Sequence, residues 1–193
     1  MQSAFTDEPA WGRGHRILAD AFSPGAVNDH VEAITDCCAE LVLRLESVDN
    51  GKDVAIPAMA GGLFFEIMSR YAFSQVMGSF YSDQPSEAIV TAKRVVHELV
   101  LRRILPPEIM KFDVRGNREI NRDIAAMHAF ADRIVAARRA LGPGNEGTDV
   151  LGHMLTTPDP QTGEFLSDIA IRYQLLTFLG AGQEGPHNML SVA

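Results

Sequence analysis

Two places in the sequence join residue types that could do chemistry. Trp11 stands four residues before His15, a spacing that shares one face of a helix. An indole N–H and an imidazole N–H one turn apart can both donate to a single anionic group. The plainer account of that spacing is a tryptophan packed into a core beside a histidine that is either exposed or satisfied within it. The second place is Gly180-Ala-Gly-Gln-Glu-Gly-Pro186, where three glycines and a proline interrupt a strongly apolar segment. Pro186 has no N–H to give the carbonyl of Gly182, which stays open to another partner. Glu184 lies inside this interruption. It reads either as a functional acid beside a broken, buried helix or as the mark of a helix ending in solvent, and the local sequence favours the ending.

Other chemistries lack their residues. Among His15, His30, His97, His128, His153 and His187 no pair is spaced i, i+4 around a general base, and there is no Cys-x-x-Cys, so no metal ligand set is expected. No Gly-x-Ser-x-Gly elbow or phosphate loop occurs. Gly12 and Gly14 flank Arg13 in a helical context with no strand before it, which excludes a dinucleotide fingerprint. Cys37 and Cys38 are neighbours, and on a helix they point about 100° apart, so they read as two small apolar side chains in a reducing compartment.

The elements that must position these residues are helices. The chain has 193 residues, 46% of them hydrophobic, enough for a sizeable core. From Asn28 to Glu46, Val31, Ile34, Cys38, Leu41, Val42 and Leu45 form one apolar stripe, with Ser23-Pro24 as its N-terminal signal. Further helices are expected over Met59–Tyr71, from a Ser86 cap to about Leu105, over Arg118–Leu141, from a Thr148 cap through Leu155, and from Ser167 onward. At most one short strand, near Val54–Ile56, interrupts this mainly α pattern. The charges of the 118–141 helix, Glu119, Arg122, Asp123, Arg133, Arg138 and Arg139, read as a solvated face. The last helix is apolar nearly all round and so is expected to be central and buried. Net charge is −8 with no basic run, which argues against nucleic acid and anionic membranes as partners. No apolar stretch is long enough to span a bilayer and no signal pattern opens the chain, so the expected location is cytoplasmic.

Trp11-x-x-x-His15, SFYSDQP at 79–85 and DPQTGEFLSDIAIRYQLLTFLGAGQE at 159–184 together resemble the cytochrome P-450 family of haem-thiolate monooxygenases, in particular the bacterial fatty-acid hydroxylases whose haem domain is fused to a diflavin reductase. The similarity runs from FTDEPAW to LSVA. It implies that residues 1–193 are a partial haem domain, without the N-terminal part and the C-terminal loop that carries the cysteine ligand. It implies haem b as cofactor, with FAD, FMN and NADPH acting through a reductase that is fused or separate. It further implies O2 and a fatty acid or similar amphiphile as substrates. Trp11 and His15 match the residues that hydrogen-bond the haem propionates. Ala181 and Gly182 match the small residues over the iron, and Glu184 the proton-delivery acid. The segment Ser86–Leu105 and the helix from Arg118 match the roof of the substrate channel. Gln2, Ala181 and Gly185 fall at substrate-pocket positions. Two departures stand out. Gly185 occupies the place of the family's usual threonine, so no side-chain hydroxyl relays protons there. The axial cysteine and the Glu-x-x-Arg pair are expected outside this chain, since neither Cys37 nor Cys38 sits in a Gly-rich loop. The stretch alone is therefore expected to be inactive. Gly185 also leaves two alternatives, a haem protein with impaired oxygenation or a peroxide-driven hydroxylase.

Overall fold

A computed structural model describes residues 10–48, 56–79, 87–104 and 114–192, with side chains in the last helix described as far as Gly180. The helices are α1 (Ala10–Leu18), α2 (Pro24–Asn28), α3 (Val31–Val48), α4 (Ile56–Phe73), α5 (Glu87–Ile104), α6 (Val114–Arg139), α7 (Val150–Thr156) and α8 (Asp168–Val192). A 3-10 turn, Asp20–Phe22, joins α1 to α2. Among the described residues there is no strand. Ile56, expected at the end of a short strand, instead opens α4, with Pro57 in its first turn, where a missing N–H costs nothing. Val54 and Ala55 lie outside the described residues.

Helix α8 is the axis. It packs most extensively on α4 and also meets α5, α6 and α7. Ile171, Leu175 and Leu179 of α8 are buried in one cluster with Phe65 and Phe73 of α4, Ile134 of α6, and Leu151 and Met154 of α7. Ile17 and Leu18 bring the C-terminal end of α1 into the same cluster.

Several boundaries and faces differ from expectation for local reasons. Ser23 caps α2, accepting from Ala26 N at 3.3 Å, and Asp29 and His30 separate that short helix from α3. The buried side of α3 is set by Cys37 and Leu41 against Leu63 and Ile67 of α4. Cys38 is exposed, and Val31 and Val42 are 50% and 52% exposed, so the helix is turned from the stripe expected. Arg70 of α4 fixes this rotation by forking onto Glu40 of α3 at 2.9 and 2.7 Å while also donating to Glu66 at 3.0 Å. Glu66 is fully buried and accepts the backbone N–H of Met77 and of Ser79, which satisfies it without water.

The charged face of α6 is not all solvated. Arg138 is 7% exposed and forks onto Asp149 with two bonds of 2.7 Å, while also donating to the carbonyls of Phe73 and Glu146. Asp123 is also buried and accepts a fork from Arg94 of α5. These two residues face neighbouring elements, and a pattern of charge along a helix does not reveal a partner 11 or 29 residues away. Asp149 rather than Thr148 caps α7, accepting from Gly152 N at 2.8 Å, and Ser74 donates to its other oxygen. Gly152 lies so close to the preceding loop that a Cβ would stand 2.0 Å from the Gly147 carbonyl oxygen.

Candidate functional site

Helix α1 presents different residues to two neighbours. Trp11 and His15 stack with ring centroids 4.9 Å apart and planes 25° apart, so the expected shared face exists. Trp11 is 46% exposed and His15 is exposed, so the core-packed tryptophan is overturned. Gly12 and Gly14 are buried, and the absence of their side chains lets α1 lie close against its surroundings. A Cβ on Gly14 would come within 2.7 Å of the Gln174 amide nitrogen on α8, which locates that amide beside the Trp11–His15 turn.

Arg13 and Arg16 tie the same helix to the turn after α7. Arg16 forks onto Asp159 with two bonds of 2.7 Å, and Arg13 pairs with Glu164. Asp159 is 1% exposed and also accepts from Thr162 Oγ1 at 2.9 Å and Gln161 N at 3.3 Å. The Arg16 guanidinium, with these turn donors, holds the Asp159 carboxyl well below the usual carboxylate range. The turn closes through Asp159 N to Glu164 O at 2.9 Å and Gly163 N to Asp159 O at 2.8 Å. Gly163 has φ +71°, a left-handed conformation that favours glycine.

Between α1 and α8 lies a cleft of about 270 Å³, lined by Trp11, Gly14, His15, Leu18, Ala19, Phe22, Gln174, Thr177 and Phe178. Its chemistry is graded. Trp11, His15 and Gln174 bring polar nitrogens to one end. Phe22 and Phe178, with ring centroids 5.2 Å apart, close the other beside Leu18. Phe22 is held in turn by Tyr71, at 5.9 Å between centroids, whose hydroxyl donates to Ala21 O at 2.6 Å. Thr177 spends its hydroxyl on the carbonyl of Tyr173, one turn back.

The interruption expected at 180–186 does not end α8, whose backbone stays helical through Pro186 to Val192. The helix-ending account of Glu184 is therefore overturned. Proline inside a helix removes one hydrogen bond, and a helix anchored over its first half against α4 can carry that loss. The helical repeat places Ala181 and Gly182 one turn beyond Thr177 and Phe178, and Gly185 one turn further on. The side chains at Ala181, Gly182, Glu184 and Gly185 lie outside the described residues, as does Gln2.

The cleft thus joins Trp11 and His15, as the sequence suggested, and adds Leu18, Phe22, Gln174 and Phe178, which sequence reasoning missed. A signal for the α8 side was present. Gln174, Thr177, Phe178, Ala181, Gly182 and Gly185 recur at three- and four-residue steps, a stripe hidden by the apolar residues on every other side. Among the described residues no three His, Cys, Asp or Glu side chains gather as a metal ligand set, and no helix is long and apolar enough to cross a membrane.

Residues 2–192 match the cytochrome P450 family. The bifunctional cytochrome P450/NADPH-P450 reductase of Bacillus cereus is 33% identical over 190 residues, covering 97% of this chain and 18% of that protein. The bifunctional cytochrome P450/NADPH-P450 reductase 1 of Bacillus subtilis is 32% identical over 191 residues, with 99% and 18% covered. A bifunctional cytochrome P450/NADPH-P450 reductase of Fusarium oxysporum is 33% identical over 207 aligned residues, with 99% and 18% covered. The chain therefore spans 18% of the length of these relatives.

Proposed function

The chain belongs to the cytochrome P450 family, and from that premise we propose that it forms the distal wall of a haem site in an oxygen-inserting enzyme. The observation that carries this reading is the graded cleft between α1 and α8. Porphyrin has a propionate edge and an apolar edge, and the cleft offers nitrogen donors at one end and aromatic carbon at the other. Trp11 and His15 would bind the propionates from one turn of α1. Leu18, Phe22 and Phe178 would exclude water from the apolar edge.

Haem, when bound through a thiolate supplied elsewhere, provides the activation of O2 and the insertion of one atom into a C–H bond, the other leaving as water. What this chain adds is space and protons. Ala181 and Gly182 carry the smallest side chains at their register, so they would leave room above the ring. The carbonyl of Gly182 receives no N–H from Pro186 and can accept from a water. Glu184, three residues after Ala181 and two after Gly182, is the nearby carboxylate and would pass protons inward.

The relatives' names join a P450 to an NADPH-P450 reductase. On that basis the electrons would come from NADPH through FAD and FMN of a fused or partnering reductase, acting in the cytoplasm. A fatty acid or comparable amphiphile is the proposed substrate, with residues 1–193 as part of the haem domain and Gln2 and Gly185 at its pocket.

Gly185 favours a second reading. Glycine offers no hydroxyl beside Glu184, so proton delivery would rest on water alone. The protein would then release much of its reduced oxygen as peroxide, or use peroxide as the oxidant. The experiment is to measure peroxide formed per NADPH consumed, with a fatty acid present, in the holoprotein and in Gly185→Thr. A large peroxide yield that falls in the threonine variant supports the reading. Equal low yields in both would refute the role given to Gly185. Absence of haem binding by the intact protein would refute the function as a whole.

A further inference from the structure

Helix α1 is nine residues long, too short to hold its shape or place without tertiary contacts. Its apolar anchors sit at one end only, Ile17 at 1% exposure and Leu18 at 5%. The other end, where Trp11 and His15 stand, has two buried glycines and no buried side chain from residue 11 to residue 15. Besides those close-packed glycines, charge grips the helix there, with Arg13 on Glu164 and the next residue past that stretch, Arg16, forked onto Asp159. Asp159 is unusual as an anchor. It is almost wholly buried, and Thr162 and the Gln161 N–H donate to it beside the Arg16 fork. Its turn passes through buried Leu166 and through Ser167, which accepts from Ala170 N, directly into α8. The anchor for one wall of the cleft is thus built into the start of the other wall.

We propose that Arg16 and Asp159 are positioning residues for the porphyrin anchors: their fork sets the rotation of α1, and with it the placement of Trp11 and His15 relative to Gln174 and Phe178. The inference rests on reading the cleft as a haem site. Neither residue touches the porphyrin in this scheme. Both act through Trp11 and His15.

The test is a cycle of substitutions in the holoprotein, read by the rate of haem transfer to excess apomyoglobin and by the thermal midpoint. Asp159→Asn keeps the size of the side chain and removes the charge that holds the fork. It should speed haem transfer about tenfold, and the same change in a protein already carrying His15→Phe should add far less, because coupled residues are not additive. Arg16→Lys, which keeps the charge and loses the fork, should fall between wild type and Asp159→Asn. A merely structural clamp would lower the midpoint and leave haem transfer at the wild-type rate, or would multiply independently with His15→Phe. Either result overturns the positioning role. Wild-type transfer rates in both Trp11→Phe and His15→Phe would overturn the haem reading, and the proposal with it. Fast transfer in those two with none in Asp159→Asn would overturn the positioning role alone.

Discussion

Replacing Trp11 by phenylalanine separates haem binding from folding. An aromatic ring is kept to stack on His15, where the indole now stands at 4.9 Å, and the N–H is removed with the five-membered ring that carries it. Because Trp11 is 46% exposed, the fold draws little from it, and a surface change of this kind alters stability by about 0.5 kcal/mol or less. For a domain of this size that is a midpoint shift of about 1–2 °C. The proposed partner is a propionate, and a hydrogen bond to a charged group contributes about 1.5–3 kcal/mol. That difference corresponds to haem held about 10- to 150-fold less tightly. His15→Phe should cost a similar amount. The assay is the haem transfer rate to apomyoglobin beside a thermal melt of the haem-free protein, because haem held less tightly lowers the midpoint of the loaded protein by itself. Rapid haem loss with an unmoved midpoint is the expected result. Haem retained at the wild-type rate in Trp11→Phe, or lost only in step with a falling midpoint, would refute the propionate role.

Further outcomes are expected. Gly152→Ala should be badly tolerated, by about 3 kcal/mol or more, because its Cβ would meet the Gly147 carbonyl at 2.0 Å in a loop that Arg138 pins. Gly14→Ala should be mild, since only the end of the Gln174 side chain must move, and urea unfolding of the two variants compares them. Asp149→Ala should cost about 3–5 kcal/mol by stranding the Arg138 guanidinium, whereas the double change Arg138→Met with Asp149→Leu should cost less than that single change. The pH dependence has two parts. Burial, with Arg172 adding to it, pushes the His128 imidazole down, so the unfolded chain binds that proton first and stability should fall as pH drops below about 6.5. Asp159 is depressed, so its contribution is complete above the unfolded carboxylate value of about 4 and fades only below it. Melts from pH 7.5 to 3.5 on wild type and His128→Phe should therefore differ near pH 6 and share their loss at the acid end.

How much was legible follows from how local each signal is. Helices α4, α5, α6 and α8 were readable because apolar residues recur along them at helical steps, and Trp11 and His15 because they lie one turn apart. The continuation of α8 through Pro186 was not readable, since the packing that carries it comes from α4, over a hundred residues earlier in the chain. The rotation of α3 was hidden for the same reason, because Arg70 and Glu40 decide it from two helices. Arg138 and Asp123 read as surface charges in the sequence because the residues that face them, Asp149 and Arg94, belong to other elements. Arg16 and Asp159 are 143 positions apart, and nothing in either neighbourhood announces the other.

Adjacent cysteines, one buried and one exposed on α3, give the protein an internal gauge of its own opening. Cys38 is accessible, while Cys37 has no exposed surface, and burial pushes its thiol above the ordinary value. An alkylating reagent followed by peptide mapping should therefore mark Cys38 within the native protein and Cys37 only when α3 lifts from α4. The two marks fall on one peptide, so their ratio is free of recovery errors. Local detachment of this helix becomes measurable without a spectroscopic probe and without unfolding the cleft between α1 and α8. Equal labelling of both thiols under native conditions would show that the α3–α4 seam opens on its own.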